Sequence, residues 1–394
     1  MAVIALIDGE HHPPVVRDAL GRLERERGLA GVVFVGGEEK LPPGPLEEHY
    51  GRPIDANPDA ALRRLVVQAE AVVDLADEPV WPPSAKLRLA ALALHLGLGY
   101  EAPGLKLDAP RYEPVGFSGP KLAVIASGKR TGKTALAGHI ARLLEHARPV
   151  IVCMGRGGPP EPVVGEPSTS LDDLLALAER GEHAASDYLE DAVLAGVRTV
   201  GCRRVGGGLA GAPFHSNVAE GAALAASLDP GLIVFEGSGS CIPPVEVDRT
   251  VCIVGPGEPE PLADYRLLHA DLLIRHAGAP APPDTLCFEL RAEPVEPMPA
   301  AARAALFTTG GTACDGVEPL LASTNLARRR ALAADLDRAV SEGCDVWLTE
   351  LKAAAIDTVA ARARAEGARV IFVRNRPVGD GVDEALMGLY RDVA

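Results

Sequence analysis

Apolar positions in the first part of the chain follow two alternating periods. Short apolar runs predict three buried strands, at residues 3–8, 32–37 and 71–76. Between them, apolar residues recur at helical spacing and predict helices at residues 13–28, 59–70 and 83–97. Strands that alternate with helices are typical of a mostly parallel sheet covered on both faces. We therefore expect an N-terminal Rossmann-like α/β domain at 1–115, followed by a Pro/Gly-rich linker or crossing arm at 100–120.

The same alternation resumes at Lys121. Strands are predicted at 121–126, 149–155, 232–237, 250–255, 270–276, 305–311, 345–351 and 369–375. Helices are predicted at 134–147, 170–181, 325–343 and 354–367, with a proline-rich bridge at 280–299. This pattern predicts a P-loop NTPase-type α/β domain with a mostly parallel sheet at 116–300. A C-terminal α/β portion at 301–394 is either separate from that domain or continuous with it.

The segment IASGKRTGKTALAG, residues 125–138, lies between a predicted strand and an amphipathic helix, as a phosphate-binding loop does. It departs from the pattern G-x-x-x-x-G-K-[ST] at its first position, which is Ser127. In such loops the lysine reaches the β- and γ-phosphates and the hydroxyl of the next residue binds Mg²⁺. We therefore expect ATP and Mg²⁺ as cofactors. The nucleotide-binding residues would be Ser127, Gly128, Thr131, Gly132, Lys133, Thr134 and Ala135.

Two further cations in this loop, Lys129 and Arg130, exceed what a nucleotide alone requires. They indicate either stabilisation of a transferring phosphoryl group or a second anionic substrate, with solvated surface charges as the alternative. Glu236 ends a predicted strand, where parallel sheets bind ligands, and its carboxylate would bind Mg²⁺ or cap the next turn. We expect catalytic roles for Lys133, Lys129, Arg130 and Glu236, and metal binding by Thr134 and Glu236.

Other polar residues follow predicted strands and are candidates for substrate binding. They are Asp8, Glu10, His11, Arg156, Arg203, Arg204 and Lys352. Arginine pairs with phosphate through two parallel hydrogen bonds, so the arginines near glycine turns suggest a basin lined with cations. Each residue also has an ordinary alternative: a surface arginine, a polar loop before a helix, or an ion pair at a helix start.

Composition narrows the possible partners. The chain has 394 residues and a formal net charge of −15, which argues against broad binding to nucleic acid or anionic membranes. No apolar run reaches membrane-spanning length. Its seven cysteines are scattered without C-x-x-C spacing, which argues against a disulfide framework or a zinc site. We expect a cytoplasmic enzyme with a small-molecule, phosphorylated acid substrate, and a homodimer because dimers are the commonest assembly.

Four stretches taken together, LIDGEHHPPVV, SGKRTGKTA, VFEGSGS and TELKAAAID, resemble the cyclic 2,3-diphosphoglycerate synthetase family over residues 7–357. The loop with FEGSGS is also loosely similar to dethiobiotin synthetase. The family resemblance implies ATP-dependent closure of an intramolecular phosphoanhydride in 2,3-diphosphoglycerate, with release of ADP and phosphate. It also implies, in some members, phosphorylation of 2-phosphoglycerate. A substrate with two phosphates and a carboxylate would account for the extra cations of the loop.

Two alternatives stay open at this point. One is a related P-loop ligase or kinase that acts on another phosphorylated or carboxylic acid. The other is a nucleotide-switched ATPase that binds a protein partner, such as a metal-insertion chaperone or a partitioning ATPase. The position of Lys129, two residues after Ser127, argues against the second, because the lysine of those deviant loops sits one residue after the first position.

Overall fold

The computed structural model describes residues 2–78, 80–257 and 261–394. Contacts between Cα atoms divide these residues into two units. Unit 1 contains the described residues within 2–111, 209–211 and 261–269. Unit 2 contains 112–208, 212–257 and 270–394. Among the described residues, no helix has both the length and the apolar content that crossing a membrane requires.

The strands are numbered in chain order. They are β1 (Ala2–Ile7), β2 (Leu29–Phe34), β3 (Ala69–Asp74), β4 (Gly99–Ala102), β5 (Leu105–Leu107), β6 (Lys121–Ala126), β7 (Pro149–Gly155), β8 (Val163–Gly165), β9 (Thr199–Val205), β10 (His215–Ser216), β11 (Leu232–Glu236), β12 (Arg249–Val254), β13 (Leu272–His276), β14 (Leu286–Pro294), β15 (Ala304–Phe307), β16 (Leu321–Ser323), β17 (Val346–Glu350) and β18 (Arg369–Val378).

The helices are numbered in the same way. They are α1 (Pro13–Arg27), α2 (Leu46–Tyr50), α3 (Pro58–Leu65), α4 (Pro83–His95), α5 (Lys133–Leu143), α6 (Leu171–Glu179), α7 (Asp187–Ala195), α8 (Val218–Ala226), α9 (Ala263–Leu268), α10 (Arg329–Ser341), α11 (Ala361–Glu366) and α12 (Val382–Arg391). A π-helical segment, Ala355–Ala360, precedes α11.

Unit 1 contains a five-stranded sheet in the order β2-β1-β3-β4-β5. Its first four strands are parallel, and β5 returns antiparallel to β4. Helix α1 starts with two prolines, which suit the first helical turn because its N–H groups have no partner there. It ends at Gly28, whose φ of 76° favours glycine. The expected Rossmann-like α/β architecture is thus confirmed for the N-terminal part.

Unit 2 contains the larger sheet, in the order β10-β9-β7-β11-β6-β12-β13-β14-β18-β17-β15-β16, with β8 beside β9. The strand order places β6, which leads into the phosphate-binding loop, between β11 and β12. Strands β9, β7, β11 and β6 are parallel, so their carboxyl ends open at one edge of the sheet. The expected mostly parallel sheet is confirmed, and ligands of such sheets bind at that edge.

Several elements differ from the sequence prediction. The expected proline-rich bridge contains a strand, β14, which pairs in parallel with β13 and then antiparallel with β18. Most of its side chains are partly or fully exposed, so its residues do not form the apolar run that reveals a buried strand. The predicted helix at 354–367 starts as the π-helical segment. The sequence prediction also lacks helices α2, α7, α8, α9 and α12.

Helix α5 is held in place by an apolar core. Leu136 and Ile140 are fully buried and belong to one cluster with Val124, Val234 and Ile253 of the underlying strands. Burial of each such side chain contributes about 1.5–3 kcal/mol. Since these contacts fix the helix against the sheet, they also fix the position of its N-terminus at the end of β6.

Candidate active site

The phosphate-binding loop spans residues 127–132, between β6 and α5. The N–H of Ser127 donates to the carbonyl of Ile253 (2.9 Å), and the Ser127 hydroxyl accepts from the N–H of Gly255 (3.1 Å). Ser127 is not among the residues with a positive φ. A serine therefore fits where the common pattern has glycine, and its side chain ties the loop to the segment after β12.

Gly132 closes the loop with a φ of 88°, a conformation that side chains rarely adopt. A β-carbon at this position would lie 2.7 Å from Leu290 Cδ1, so a larger residue would also displace that side chain. Lys133 follows, with 7% of its surface exposed, and donates to the carbonyl of Gly128 (3.3 Å). Burial lowers the pKa of Lys133 to about 8, although the carboxylate of Glu236 opposes the shift. The loop thus holds a cation in a site of low polarity, where it attracts phosphate strongly.

The pKa of Lys133 predicts how nucleotide capture depends on pH. Only the protonated lysine attracts phosphate, so kcat/KM for a nucleotide substrate is expected to be constant below about pH 8 and to fall above it, by up to about tenfold per pH unit. Initial rates at subsaturating ATP across this range measure the effect. The value of kcat should hold to higher pH, because bound polyphosphate raises the pKa of the lysine. A flat kcat/KM profile through pH 9 or so would contradict the assignment.

Two buried carboxylates, those of Glu236 and Asp191, lie near the phosphate-binding loop. Glu236, at the end of β11, is 4% exposed, and its Oε1 accepts a hydrogen bond from the Thr134 hydroxyl (2.6 Å). Asp191 of α7 is 2% exposed. Within the described ranges, Glu236 Oε2 and Asp191 Oδ2 are both buried without a hydrogen-bond partner. Burial, with neighbouring carboxylates, raises the pKa of both groups. Such an arrangement favours a bound cation.

Asp191 is a residue that the sequence analysis missed, as is Asp187 one helical turn earlier. The spacing of four residues puts both on one face of α7. That spacing was visible in the sequence, but nothing local indicated that this face packs on β7 and β9, beside β11. The helix itself was not predicted, so its acids were not considered.

The side chains of three predicted cationic residues meet at the turn that follows Glu236. A β-carbon at Gly239 would lie 3.4 Å from Lys129 Cγ, Arg156 Nη2 and Arg204 Nη2 alike. Arg204 also donates to the carbonyls of Ser238 (2.9 Å) and Gly206 (2.8 Å). Within the described part of the chain, no salt bridge engages these three side chains. We call Lys129, Arg156 and Arg204 the cation cluster.

The other predicted cations of unit 2 are placed differently. Arg130 is exposed, with a positive φ of 56°. Arg203 is adjacent to Arg204 on β9, and adjacent side chains of a strand point to opposite faces. Lys352 Nζ lies 3.1 Å from Glu190 and 3.8 Å from Glu350, and although burial opposes it, these carboxylates raise the pKa of Lys352. Its charge is therefore already compensated, as in the ion-pair alternative.

Unit 1 brings Asp8, Glu10 and His11 together after β1. Asp8 is fully buried and accepts hydrogen bonds from His11 Nδ1 (2.8 Å), the N–H of Glu10 (3.0 Å) and the N–H of Asp77 (2.5 Å). Glu10 pairs with Lys40. Glu10 and His11 line a cavity of about 460 Å³ in this unit. Asp8 thus orients the imidazole, and Nε2 of His11 lies 3.4 Å from Asp77 Oδ2.

Comparisons with known proteins are consistent over the whole chain. Three domain models of cyclic 2,3-diphosphoglycerate synthetase match: the N-terminal domain at residues 2–108, the P-loop domain at 121–278 and the C-terminal domain at 314–376. Relatives named cyclic 2,3-diphosphoglycerate synthetase include that of Rubrobacter xylanophilus, with 45% identity over 99% of this chain and 97% of the relative. Those of Thermococcus gammatolerans (39%; 99% and 97%) and Thermococcus kodakarensis (36%; 96% and 96%) are also similar.

Proposed function

We propose that this chain, which belongs to the cyclic 2,3-diphosphoglycerate synthetase family, uses ATP to close a phosphoanhydride ring within 2,3-diphosphoglycerate. The products would be the cyclic diphosphate, ADP and inorganic phosphate. The observation that supports the proposal most directly is the cation cluster at Gly239, three residues after Glu236 and beside the phosphate-binding loop. A nucleotide alone does not require it, whereas an acid with two phosphates and a carboxylate does.

ATP binding rests on the loop. Its backbone N–H groups and the N-terminus of α5 would hold the phosphates, with Lys133 at the β- and γ-phosphates. The Thr134 hydroxyl and Glu236 would hold Mg²⁺. Both supply the oxygen ligands it prefers, and Glu236 Oε2 is buried without a hydrogen-bond partner among the residues that the structure describes. Bound Mg²⁺ neutralises charge on the β- and γ-phosphates.

The reaction would proceed in two displacements. An oxygen of one substrate phosphate attacks the γ-phosphorus in line, and the bond from that phosphorus to the β-phosphate oxygen breaks, releasing ADP. The other substrate phosphate then attacks the phosphorus of the substrate phosphate that accepted the γ-phosphoryl group. This attack closes the ring and expels the transferred group as inorganic phosphate. The enzyme forms no covalent bond, so catalysis consists of positioning and charge stabilisation. We assign the charge stabilisation to Lys133, Lys129, Arg130 and Arg156.

The remaining assignments belong to the same proposal. Arg203, Arg204 and Lys352 of unit 2 are proposed to bind the acid substrate. Within unit 1, Asp8, Glu10 and His11 are proposed as substrate-binding residues of that unit. For Lys352 this requires the substrate to displace or share its carboxylate partners. We also propose that the protein is a cytoplasmic homodimer, and light scattering of the purified protein measures its oligomeric state.

Phosphorus NMR of the full-length protein with Mg-ATP and 2,3-diphosphoglycerate tests the reaction. We expect two new, mutually coupled upfield resonances together with ADP and inorganic phosphate, and none of these with a Lys133→Met variant. If ATP and 2,3-diphosphoglycerate both remain unchanged, the proposed reaction is wrong. ADP release with a different acid would then identify a related ligase or kinase on the same scaffold.

The role of Glu236 predicts a change in the requirement for Mg²⁺. Glu236→Gln retains an oxygen that accepts from Thr134 but removes the negative charge. The Mg²⁺ concentration for half-maximal rate is therefore expected to rise by about tenfold or more. Rates measured against free Mg²⁺ at saturating ATP test this, with Glu246→Gln, an exposed residue, as the control. An unchanged Mg²⁺ requirement would remove Glu236 from the metal site.

A further inference from the structure

Cys153, Asp191 and Glu236 bury their side chains at one point in unit 2, although they come from three different elements. Cys153 of β7 and Glu236 of β11 are register partners in parallel strands, so they point to the same face of the sheet. Helix α7 packs on that part of the sheet and adds Asp191. One ligand atom of each residue lies within 4.8 Å of the other two.

The surroundings leave this group short of positive charge. Within the described residues, no hydrogen bond of ordinary geometry satisfies Glu236 Oε2 or Asp191 Oδ2, although both atoms are buried. Burial, with neighbouring carboxylates, raises the pKa of Cys153, Asp191 and Glu236, so a bound cation would displace protons from these groups. Lys133 is the nearby cation, and its ammonium already donates to the carbonyl of Gly128. Two unpartnered buried carboxylate oxygens beside a thiol therefore resemble a set of metal ligands more than a structural network.

We propose that Cys153, Asp191 and Glu236 form a binding site for a thiophilic divalent cation such as Zn²⁺. Zinc commonly takes three protein ligands and one open position, and it accepts sulfur together with oxygen, whereas Mg²⁺ prefers oxygen alone. Ligand atoms around one Zn²⁺ lie roughly 3.5 Å apart, given bond lengths of about 2.0–2.3 Å. The three ligand atoms lie within 4.8 Å of one another, and small side-chain rotations can bring them to that distance.

The site goes beyond the proposed ring closure, which uses Mg²⁺ and does not require a thiol. The site shares Glu236 with the Thr134 hydroxyl, since Oε1 accepts from that hydroxyl while Oε2 has no hydrogen-bond partner in the described part of the chain. Occupation by Zn²⁺ is thus expected to compete with Mg²⁺ for Glu236 and to inhibit turnover. The absence of C-x-x-C spacing in the sequence does not exclude the site, because its ligands are 38 and 45 positions apart along the chain (191 − 153 and 236 − 191).

Cobalt provides a test that does not depend on activity. The reduced, full-length protein is stripped with a chelator and titrated with Co²⁺. We expect the near-ultraviolet charge-transfer absorption of a thiolate–cobalt bond at one equivalent, displaced by stoichiometric Zn²⁺ but not by a large excess of Mg²⁺. Cys153→Ser is expected to abolish the band, and both Cys153→Ser and Asp191→Asn to weaken Zn²⁺ binding about tenfold or more.

The matched control is Cys202→Ser. Cys202 is a buried cysteine on the adjacent strand β9, aligned with Met154, so it points to the opposite face from Cys153. This variant should keep the cobalt band. No thiolate–cobalt band in the unmodified protein, or a band that persists in Cys153→Ser, would overturn the proposal. The cobalt titration of the unmodified protein needs no variant, and its outcome does not depend on whether the protein closes the phosphoanhydride ring.

Discussion

Replacing Lys133 by methionine is expected to lower kcat/KM for ATP by about 10²–10³-fold or more while the protein stays folded. The ammonium is nearly buried at the end of the phosphate-binding loop, where screening by water is weak. Its loss would remove an interaction that strengthens as charge moves onto the leaving phosphate. Methionine keeps most of the aliphatic stem, so packing around α5 is preserved. Coupled measurement of ADP release gives the rate.

Thermal unfolding is the control for this variant. The folded-state pKa of Lys133 is lowered to about 8, below the value of 10.5 for a free lysine. The unfolded chain therefore holds the proton more tightly, and the buried charge opposes folding below about pH 8. We expect the free energy of unfolding of Lys133→Met at pH 7 to be unchanged or increased. Retained activity in a folded variant would show that the loop does not act as proposed.

Replacing Arg156 by alanine is expected to lower kcat/KM for the acid substrate by about 10²-fold, with little change in KM for ATP. Arg156 belongs to the cation cluster, and no salt bridge within the described residues already compensates its charge. Its guanidinium is thus available to a phosphate or carboxylate of the substrate. Steady-state kinetics with each substrate varied in turn separate the two effects.

Two further arginine variants provide a control and a second test. Arg148→Ala is the control, because Arg148 is exposed and pairs with Asp229. Arg130→Ala is expected to impair use of the acid more than ATP binding, as its place in the loop suggests. If Arg130→Ala and Arg156→Ala both leave acid use untouched, the interpretation of the basic residues as a substrate site is wrong.

The cation cluster also explains how an acidic protein would attract an acidic substrate. The formal net charge of −15 repels anions at long range, but charges separated by more than about 10 Å are largely screened at ordinary ionic strength. Local cations therefore dominate at the site. We accordingly infer that the site is selective for anions that can contact several cations at once.

Features that depend on a short stretch of chain were determined by the sequence itself. The loop from Ser127 to Thr134 was recognisable because its glycines, lysine and hydroxyl act through neighbouring residues. The capping box formed by Ser170 and Asp173 at the start of α6 likewise depends only on residues three positions apart. Glu236 was predicted to lie where parallel sheets bind ligands, because a polar residue that ends an apolar strand must emerge at the edge of the sheet. Four such stretches together were sufficient to indicate the family.

The tertiary structure determined which residues that are far apart in the sequence contact one another. Register between β7 and β11 brings Cys153 opposite Glu236, and packing of α7 adds Asp191; neither is encoded by local spacing. Lys352 follows a strand, as predicted, but its pairing with Glu190 depends on how α7 packs. The cluster at Gly239 likewise joins side chains from the segments after β6 and β7 and from strand β9. Side-chain contacts at such separations follow from the packing of whole elements, and periodicity along the chain reports only which face of an element is buried.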